Sequence, residues 1–465
     1  KRSAAPEYRR GDRHWCGAQR LGRARSTEPV HAPALSCAGA FRFFRPGVEL
    51  PPLDIWDHPR RGGSEDNAMA RRFRPVLLAQ LIAGSYAGSA AAQEVARPDS
   101  ARADTVVAAP ADETVGLKLG ALPLYLSGYV TSTFTYSFAA TGNQIVGRFY
   151  DRYQKQFMAN GLELGLTKPV DTGKLDAGAR AELLFGQDAA VTQSQGLSLG
   201  PNGDLTEAYV ILNVPTGGAD HWVQFKLGKM WTIMGYEVID DILDPNLDVG
   251  NQFVYLENFT NTGFGVDFKF GPKVDAQLRI INGWDVVVDN NSALSFMGRL
   301  GLTPTPAVTI GLLGYVGAEQ PDNNDNLRYG FEGLGTFKVG TKTTLVAQFD
   351  WGSEEGLLPD PDEKASWWGG GLWIVQTLSP AFDLALRGDY VDDKNGVRSS
   401  GVLGYAVADR RKYGSATATL NIHVFPKATI RPEFRIDFSS LDDYGELDDP
   451  KSTQPSIGVG ATYAF

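Results

Sequence analysis

Charged residues recur at every second position in Arg431-Pro432-Glu433-Phe434-Arg435-Ile436-Asp437, and Ile430, Pro432, Phe434, Ile436 and Phe438 alternate with them. Successive side chains of an extended strand point to opposite faces, so this spacing gathers the charges on one face and the apolar groups on the other. The same division holds in 380–391, where Phe382, Leu384, Leu386, Gly388 and Tyr390 oppose Asp383, Ala385, Arg387 and Asp389. In 273–283, Val274, Ala276, Leu278 and Ile280 oppose Asp275, Gln277 and Arg279; in 174–185, Ala179, Ala181 and Leu183 oppose Arg180 and Glu182. The chemistry open to such faces is electrostatic: fixed charges along water attract ions and orient dipolar solutes. If the apolar faces meet lipid, the charged ones must enclose water, because a charge in hydrocarbon costs about 2–4 kcal/mol near the midplane.

Covalent chemistry finds little support. Both cysteines, Cys16 and Cys37, precede residue 69, and after residue 92 only His221 and His423 remain as histidines. Neither has the Ser and Asp spacing of a nucleophilic triad, and no HExxH or phosphate-binding loop is present, so an enzyme is not expected. No cofactor or metal is implied. The acidic run Asp442-Asp443-Tyr444-Gly445-Glu446-Leu447-Asp448-Asp449 could hold Ca²⁺ or bridge lipopolysaccharide, or be a solvated loop tip.

The elements that would carry these faces extend from Leu124 to the end of the chain. Alternating segments read as sixteen strands: 124–136, 158–168, 174–185, 205–214, 221–230, 262–271, 273–283, 293–303, 306–317, 328–338, 342–352, 366–378, 380–391, 412–424, 427–440 and 454–465. Long connections (137–157, 186–204, 231–261, 284–292, 318–327, 353–365, 392–411, 441–453) alternate with short ones that hold Gly or Pro. A sandwich or propeller has no reason to keep that alternation. An outer-membrane barrel does, with short periplasmic turns and long external loops. In the last segment Ile457, Val459, Ala461, Tyr463 and Phe465 share a face opposite Ser456, Gly458, Gly460 and Thr462, as a barrel-closing strand requires. Tyr136, Trp351, Tyr390 and Phe438 would form one aromatic belt, and Phe382, Tyr463 and Phe465 the other. The fold class expected is an all-β transmembrane antiparallel barrel over 122–465, with a polar interior too wide for side chains alone to fill.

Ahead of the barrel, Met69-Ala70-Arg71-Arg72 followed by Val76–Ala83 and Ala90-Ala91-Ala92 reads as a secretory signal over 69–92. Residues 1–68 read as in-frame translation upstream of the true start, and 93–121 as a disordered periplasmic segment. The first 92 residues hold 15 of the 44 Lys and Arg and 8 of the 54 Asp and Glu, which leaves 29 basic and 46 acidic residues and a net charge of −17. That balance excludes nucleic acid as a natural partner.

Four stretches carry a family resemblance: Gly235-Tyr236-Glu237-Val238-Ile239; Asn282-Gly283-Trp284-Asp285 with Asp289-Asn290-Asn291; Leu386-Arg387-Gly388-Asp389-Tyr390-Val391-Asp392-Asp393; and Arg431 to Asp437. Together they resemble the putative β-barrel porin-2 (OmpL-like) family of Gram-negative bacteria, over about Leu124 to Phe465. The resemblance implies a diffusion channel in the cell outer membrane for small hydrophilic solutes and ions, with outer-membrane lipid and lipopolysaccharide around it and no catalytic residues. By analogy, sixteen strands admit a homotrimer. A substrate-selective channel and a non-conducting structural or adhesive barrel stay open as alternatives.

The third external loop, 231–261, carries six acids and no Lys or Arg. In general porins a third loop enters the lumen, and by position this one is similar. Glu237, Asp240, Asp241, Asp244 and Asp248 would then form an acidic constriction, with Arg180, Lys226, Arg279, Arg299, Arg387, Arg431 and Arg435 as a basic wall opposite. A field across the pore would follow. The other arrangement leaves the loop acids in external solvent and pairs the arginines with Glu433, Asp437 and Asp383 on neighbouring strands.

Overall fold

A computed structural model describes residues 117–119, 123–218, 220–403, 409–446 and 449–465. The expected signal peptide, the residues before it and most of 93–121 lie outside these. Within the last segment, Leu117–Lys118 is extended and pairs with Leu126 and Tyr125.

Sixteen strands form the wall. They are β1 (Tyr125–Ser137), β2 (Phe157–Lys168), β3 (Asp176–Phe185), β4 (Gly203–Pro215), β5 (His221–Trp231), β6 (Thr260–Phe270), β7 (Val274–Ile281) and β8 (Ser295–Thr305), followed by β9 (Val308–Ala318), β10 (Leu327–Val339), β11 (Thr343–Glu354), β12 (Ala365–Ser379), β13 (Phe382–Asp393), β14 (Arg411–Phe425), β15 (Ala428–Ser439) and β16 (Thr453–Ala464). Every boundary falls within two residues of the sequence expectation. Each strand pairs antiparallel with the next, and β16 returns to β1 through Ile457 opposite Tyr136 down to Ala464 opposite Tyr129. The ring is therefore closed. Phe465 completes the seam, where its N–H donates to the Gly128 carbonyl at 2.9 Å. A Cβ at Gly128 would lie 2.1 Å from the Glu163 carbonyl oxygen, so only glycine lets β1 and β2 approach there.

Period-two alternation sorts the wall. Leu372, at the middle of β12, is 64% exposed, and Leu278, Leu300, Leu312, Phe349, Phe434 and Val459 also face outward. Arg387, Arg431, Arg435, Glu433 and Asp437 are buried inside. On the long-loop rim Phe331, Phe349, Trp368 and Tyr390 touch in series, with ring centroids 5.3–6.1 Å apart where they meet. Phe382 and Tyr463 mark the other rim. No helix among the described residues is long and apolar enough to cross a membrane, so crossing falls to the strands.

The interior differs from expectation in one respect. Its wall is polar, but the loops bring an apolar cluster inside. Phe149 and Tyr150 from the first long loop and Phe253, Tyr255, Leu256 and Phe259 from the third pack on Tyr129, Trp367 and Tyr413 of the wall. Loop residues have no period, so strand alternation could not show where these apolar groups go.

Leu372→Arg should destabilise the protein folded in lipid vesicles by about 2–4 kcal/mol, because the charge would sit at mid-strand in hydrocarbon. Leu199→Arg, in an external loop, should change it by less than about 0.5 kcal/mol. Equal effects at both positions would refute the assignment of the outer face.

Candidate functional site

The third long loop, 232–259, folds into the barrel. Its two ends are joined by the Thr232 N–H donating to the Phe259 carbonyl at 3.0 Å. Between them the chain makes a 3₁₀ turn at Asp241–Leu243 and a short helix, α1 (Asn251–Leu256). Asp285 of the fourth long loop holds the loop's exit: its carboxylate accepts from the Phe259 and Thr260 N–H groups at 2.7 and 2.9 Å.

Three inward arginines grip the loop's backbone. Arg387 on β13 donates to the Asp248 carbonyl and to Glu237, both at 2.6 Å. Arg431 on β15 donates to the Asp241 carbonyl at 2.9 Å, the Asn246 carbonyl at 3.0 Å and the Asp244 carbonyl. Arg435 donates to the Val249 carbonyl at 2.7 Å and lies 3.4 Å from Asp248. A guanidinium offers five N–H donors in a rigid fork, which suits it to holding several carbonyls of a turning chain at once. The wall also takes loop N–H groups: Tyr236 donates to Gln348 at 2.8 Å, and Leu247 to Glu433 at 2.7 Å.

The other four basic residues are inward too, but they bind acids of the wall, on neighbouring strands or, for Arg180 and Glu182, on the same one. Lys226 and Arg279 share Asp267, Arg299 pairs with Asp275 at 2.7 Å, and Arg180 contacts Glu182 and Glu207. The predicted acids are all buried. Glu237 meets Arg387 and the Gly250 N–H, Asp241 accepts from Thr131 at 2.9 Å, and Asp244 caps the Val238 N–H at 3.0 Å. Asp248 accepts from the Phe149 and Tyr150 N–H groups and so ties the first loop to the third. Asp240 lies beside Glu163 and Glu182 of the wall. The structure thus brings Glu237 and Asp248 into direct contact with Arg387 and Arg435, where opposite charges offset each other locally. Of the acids in the alternative arrangement, Asp437 does pair with Arg435, at 2.7 Å. Glu433 binds Leu247 and Thr419, and Asp383 meets His423 at 2.8 Å.

Burial shapes the loop's ionisation. It pushes the Glu237 carboxyl up, against the pull of Arg387, and pushes Asp241 up against Arg431. Glu257 goes well above the usual carboxylate range, because burial acts together with the nearby charges of Asp350 and Glu332. Asp285 is raised to about 6 by burial, partly offset by its two N–H donors.

Two features of the site escaped the sequence reading. Arg148 of the first loop pairs with Asp151 at 2.8 Å and Asp437 at 3.0 Å, a contact that links positions 289 residues apart. The small inward residues of β16 make room for the loop: a Cβ at Gly460 would lie 2.2 Å from Leu247 Cδ1. The run of Ser456, Gly458 and Gly460 on one face was the available signal.

Among solved structures the chain is similar to the outer membrane channel DcaP of Acinetobacter baumannii, with 14% identity, 76% of this chain and 100% of that chain covered, and a TM-score of 0.50. It is also similar to OmpF of Salmonella typhi, solved in complex with daunomycin, with 13% identity, 74% and 97% covered, and a TM-score of 0.50. At these identities the likeness concerns the fold. No curated protein matches the chain. The family model described as putative beta-barrel porin-2, OmpL-like, matches residues 123–465, which take in the whole ring, its inserted loop and the four stretches singled out in the sequence. The chain belongs to that family and is an outer-membrane porin.

Proposed function

We propose that the protein lets small hydrophilic solutes and ions diffuse passively across the outer membrane, through a lumen narrowed by the loop 232–259. The observation that carries this is the grip of Arg387, Arg431 and Arg435 on the loop's own carbonyls. A loop held by its backbone cannot swing out of the barrel without taking acceptors from three buried guanidiniums, at a cost of several kcal/mol. The acids Glu237, Asp240, Asp241, Asp244 and Asp248 then act chiefly by setting the loop's shape. The apolar outer face contacts lipid and lipopolysaccharide in this reading, association of three copies belongs to the same proposal, and residues 69–92 direct export.

One observation favours a solute-selective channel. Arg398, on the short helix α2 (Val397–Leu403), stacks over Trp284 and Trp367 at 5.2 Å from each ring centroid, and Arg328 lies over Trp284 at 5.0 Å. Arg328 has Glu354 at 2.7 Å, whereas Arg398 has no acid within ion-pair distance among the described residues. Arg398, a cation without an acid partner on an aromatic platform, would attract a carboxylated or phosphorylated solute.

Replacing 237–256 with a short Gly-Ser linker should raise single-channel conductance in planar bilayers, on the order of twofold. Gly460→Val, which drives a side chain into Leu247, should raise it less and add current noise. Unchanged conductance after the replacement would take the loop out of the pore. In the same recordings a small dicarboxylate should block saturably, and Arg398→Gln should abolish the block. A block that persists in the variant would leave diffusion unselective at that site.

The loop's exit predicts a pH effect. Asp285 has its folded pKa raised above the unfolded value, so the stability it contributes is full below about pH 4 and lost as pH rises through about 6. Asp285→Asn mimics the protonated carboxyl, and asparagine tolerates the positive φ of +56° at this position. Chemical denaturation should show the variant losing less stability than the wild type between pH 4 and 8, by on the order of 1–2 kcal/mol. Identical pH profiles would show that this carboxyl is not strained by burial.

A further inference from the structure

Three carboxylates from three separate elements converge inside the barrel, and no Lys or Arg lies within ion-pair distance of any of them among the described residues. Glu257 follows α1 on the inserted loop, Glu332 stands on β10 and Asp350 on β11. Each is at most 4% exposed, and each offers an oxygen within 4.8 Å of the other two. Their contacts are with neutral donors. Gln348 Nε2 donates to Glu257 at 2.7 Å and to Asp350 at 3.0 Å, the Gly235 N–H donates to Glu332 at 2.7 Å, and Gln252 Nε2 donates to Asp350.

Acceptors are left over. Glu257 Oε2 and Asp350 Oδ1 are buried and receive no hydrogen bond. A fourth group, which is not an acid, lies against the trio: Gln252 is 1% exposed, its Nε2 donates to Asp350, and its Oε1, over Gly371, has no donor. The backbone makes way for this convergence. Gly235 has φ +83°, and a Cβ there would lie 1.8 Å from Glu257 Oε2.

The rest of the lumen shows what is missing. Asp267 has Arg279 and Lys226, Asp275 has Arg299, and Asp437 has Arg148 and Arg435. The other buried trio, Glu163, Glu182 and Asp240, has Arg180 on Glu182. Arg299, whose charge reaches Glu332, is already bound to Asp275. Burying an ion costs several kcal/mol unless an opposite charge meets it, and amide donors alone do not supply one to three carboxylates.

The donor set is oxygen only, with no His or Cys, which selects a hard cation. Ca²⁺ takes six to eight oxygens at about 2.3–2.6 Å, so opposite ligands stand about 5 Å apart, and it accepts carboxylates together with amide carbonyls. Mg²⁺ is smaller and usually keeps most of its waters. We propose that Glu257, Glu332 and Asp350, with the Gln252 amide turned over to present its oxygen, form a Ca²⁺ site that clasps the inserted loop to β10 and β11.

Ion binding is read on the protein itself and does not depend on conduction, so this inference and the channel reading can fail separately. The full-length protein would be purified in detergent, stripped with EDTA and titrated with Ca²⁺. One ion should bind per chain, and a hundredfold excess over Kd should raise Tm by about 4 °C. Glu332→Gln with Asp350→Asn should abolish both effects. Should that pair of substitutions fail to fold, Glu257→Gln on the loop side serves instead, with Tb³⁺ emission sensitised by the protein's aromatic rings as the readout. Wild-type protein that takes up no Ca²⁺ at millimolar concentration would overturn the site and leave shared protons to neutralise the trio. Binding or Tb³⁺ emission undiminished in the variants would overturn it too, because the ion would then sit elsewhere.

Discussion

The constraint on which the rest of this structure depends is the closure of its hydrogen-bonded ring. Hydrocarbon offers no partner to a backbone N–H or C=O, so a sheet can cross a bilayer only if its first and last strands pair. Here β16 meets β1 over nine residue pairs, and Phe465 and Gly128 extend the seam. Closure decides the faces. With lipid outside, each strand must present its apolar set outward, and the alternate positions are left to carry charge. The arginines and acids of β13 and β15 are inward for that reason, independently of any solute.

A charged interior creates a second problem, which the inserted loop addresses. Arginines packed around a lumen repel one another and need acceptors. Some find them on adjacent strands, as Arg299 does in Asp275. Arg387, Arg431 and Arg435 find them in the carbonyls of a turning backbone. The loop in turn carries no cation of its own, so nothing in it opposes these contacts. Its apolar residues pack with Phe149 and Tyr150 of the first loop, which adds burial to what the hydrogen bonds provide. The result is an insert tied to the wall through its backbone as well as its side chains. Its acids serve mainly as ties: Glu237 to Arg387, Asp248 to the first loop, Asp244 to the loop's own backbone.

The sequence carried the wall almost completely. Sixteen strands, their faces and the alternation of long and short connections are period and punctuation, which are local properties of a chain. Arg431, Glu433, Arg435 and Asp437 had to share a side whatever lay across from them. The loop was legible only as an acidic segment in the third position. Whether it entered the lumen, and which of its groups met which arginine, was not, because a period of two assigns a face without assigning depth or neighbour across the lumen.

What the chain by itself determined is therefore a closed antiparallel barrel with charge inside and lipid outside, since hydrophobic alternation and backbone pairing leave no other arrangement for these residues. Only the tertiary structure decided the partners: Arg148 with Asp437, Leu247 against Gly460, and Glu257 beside Glu332 and Asp350. Those contacts join residues up to hundreds of positions apart through a loop without periodicity. They are chosen by the radius of the ring and the room left within it, and neither is written at any single stretch of sequence.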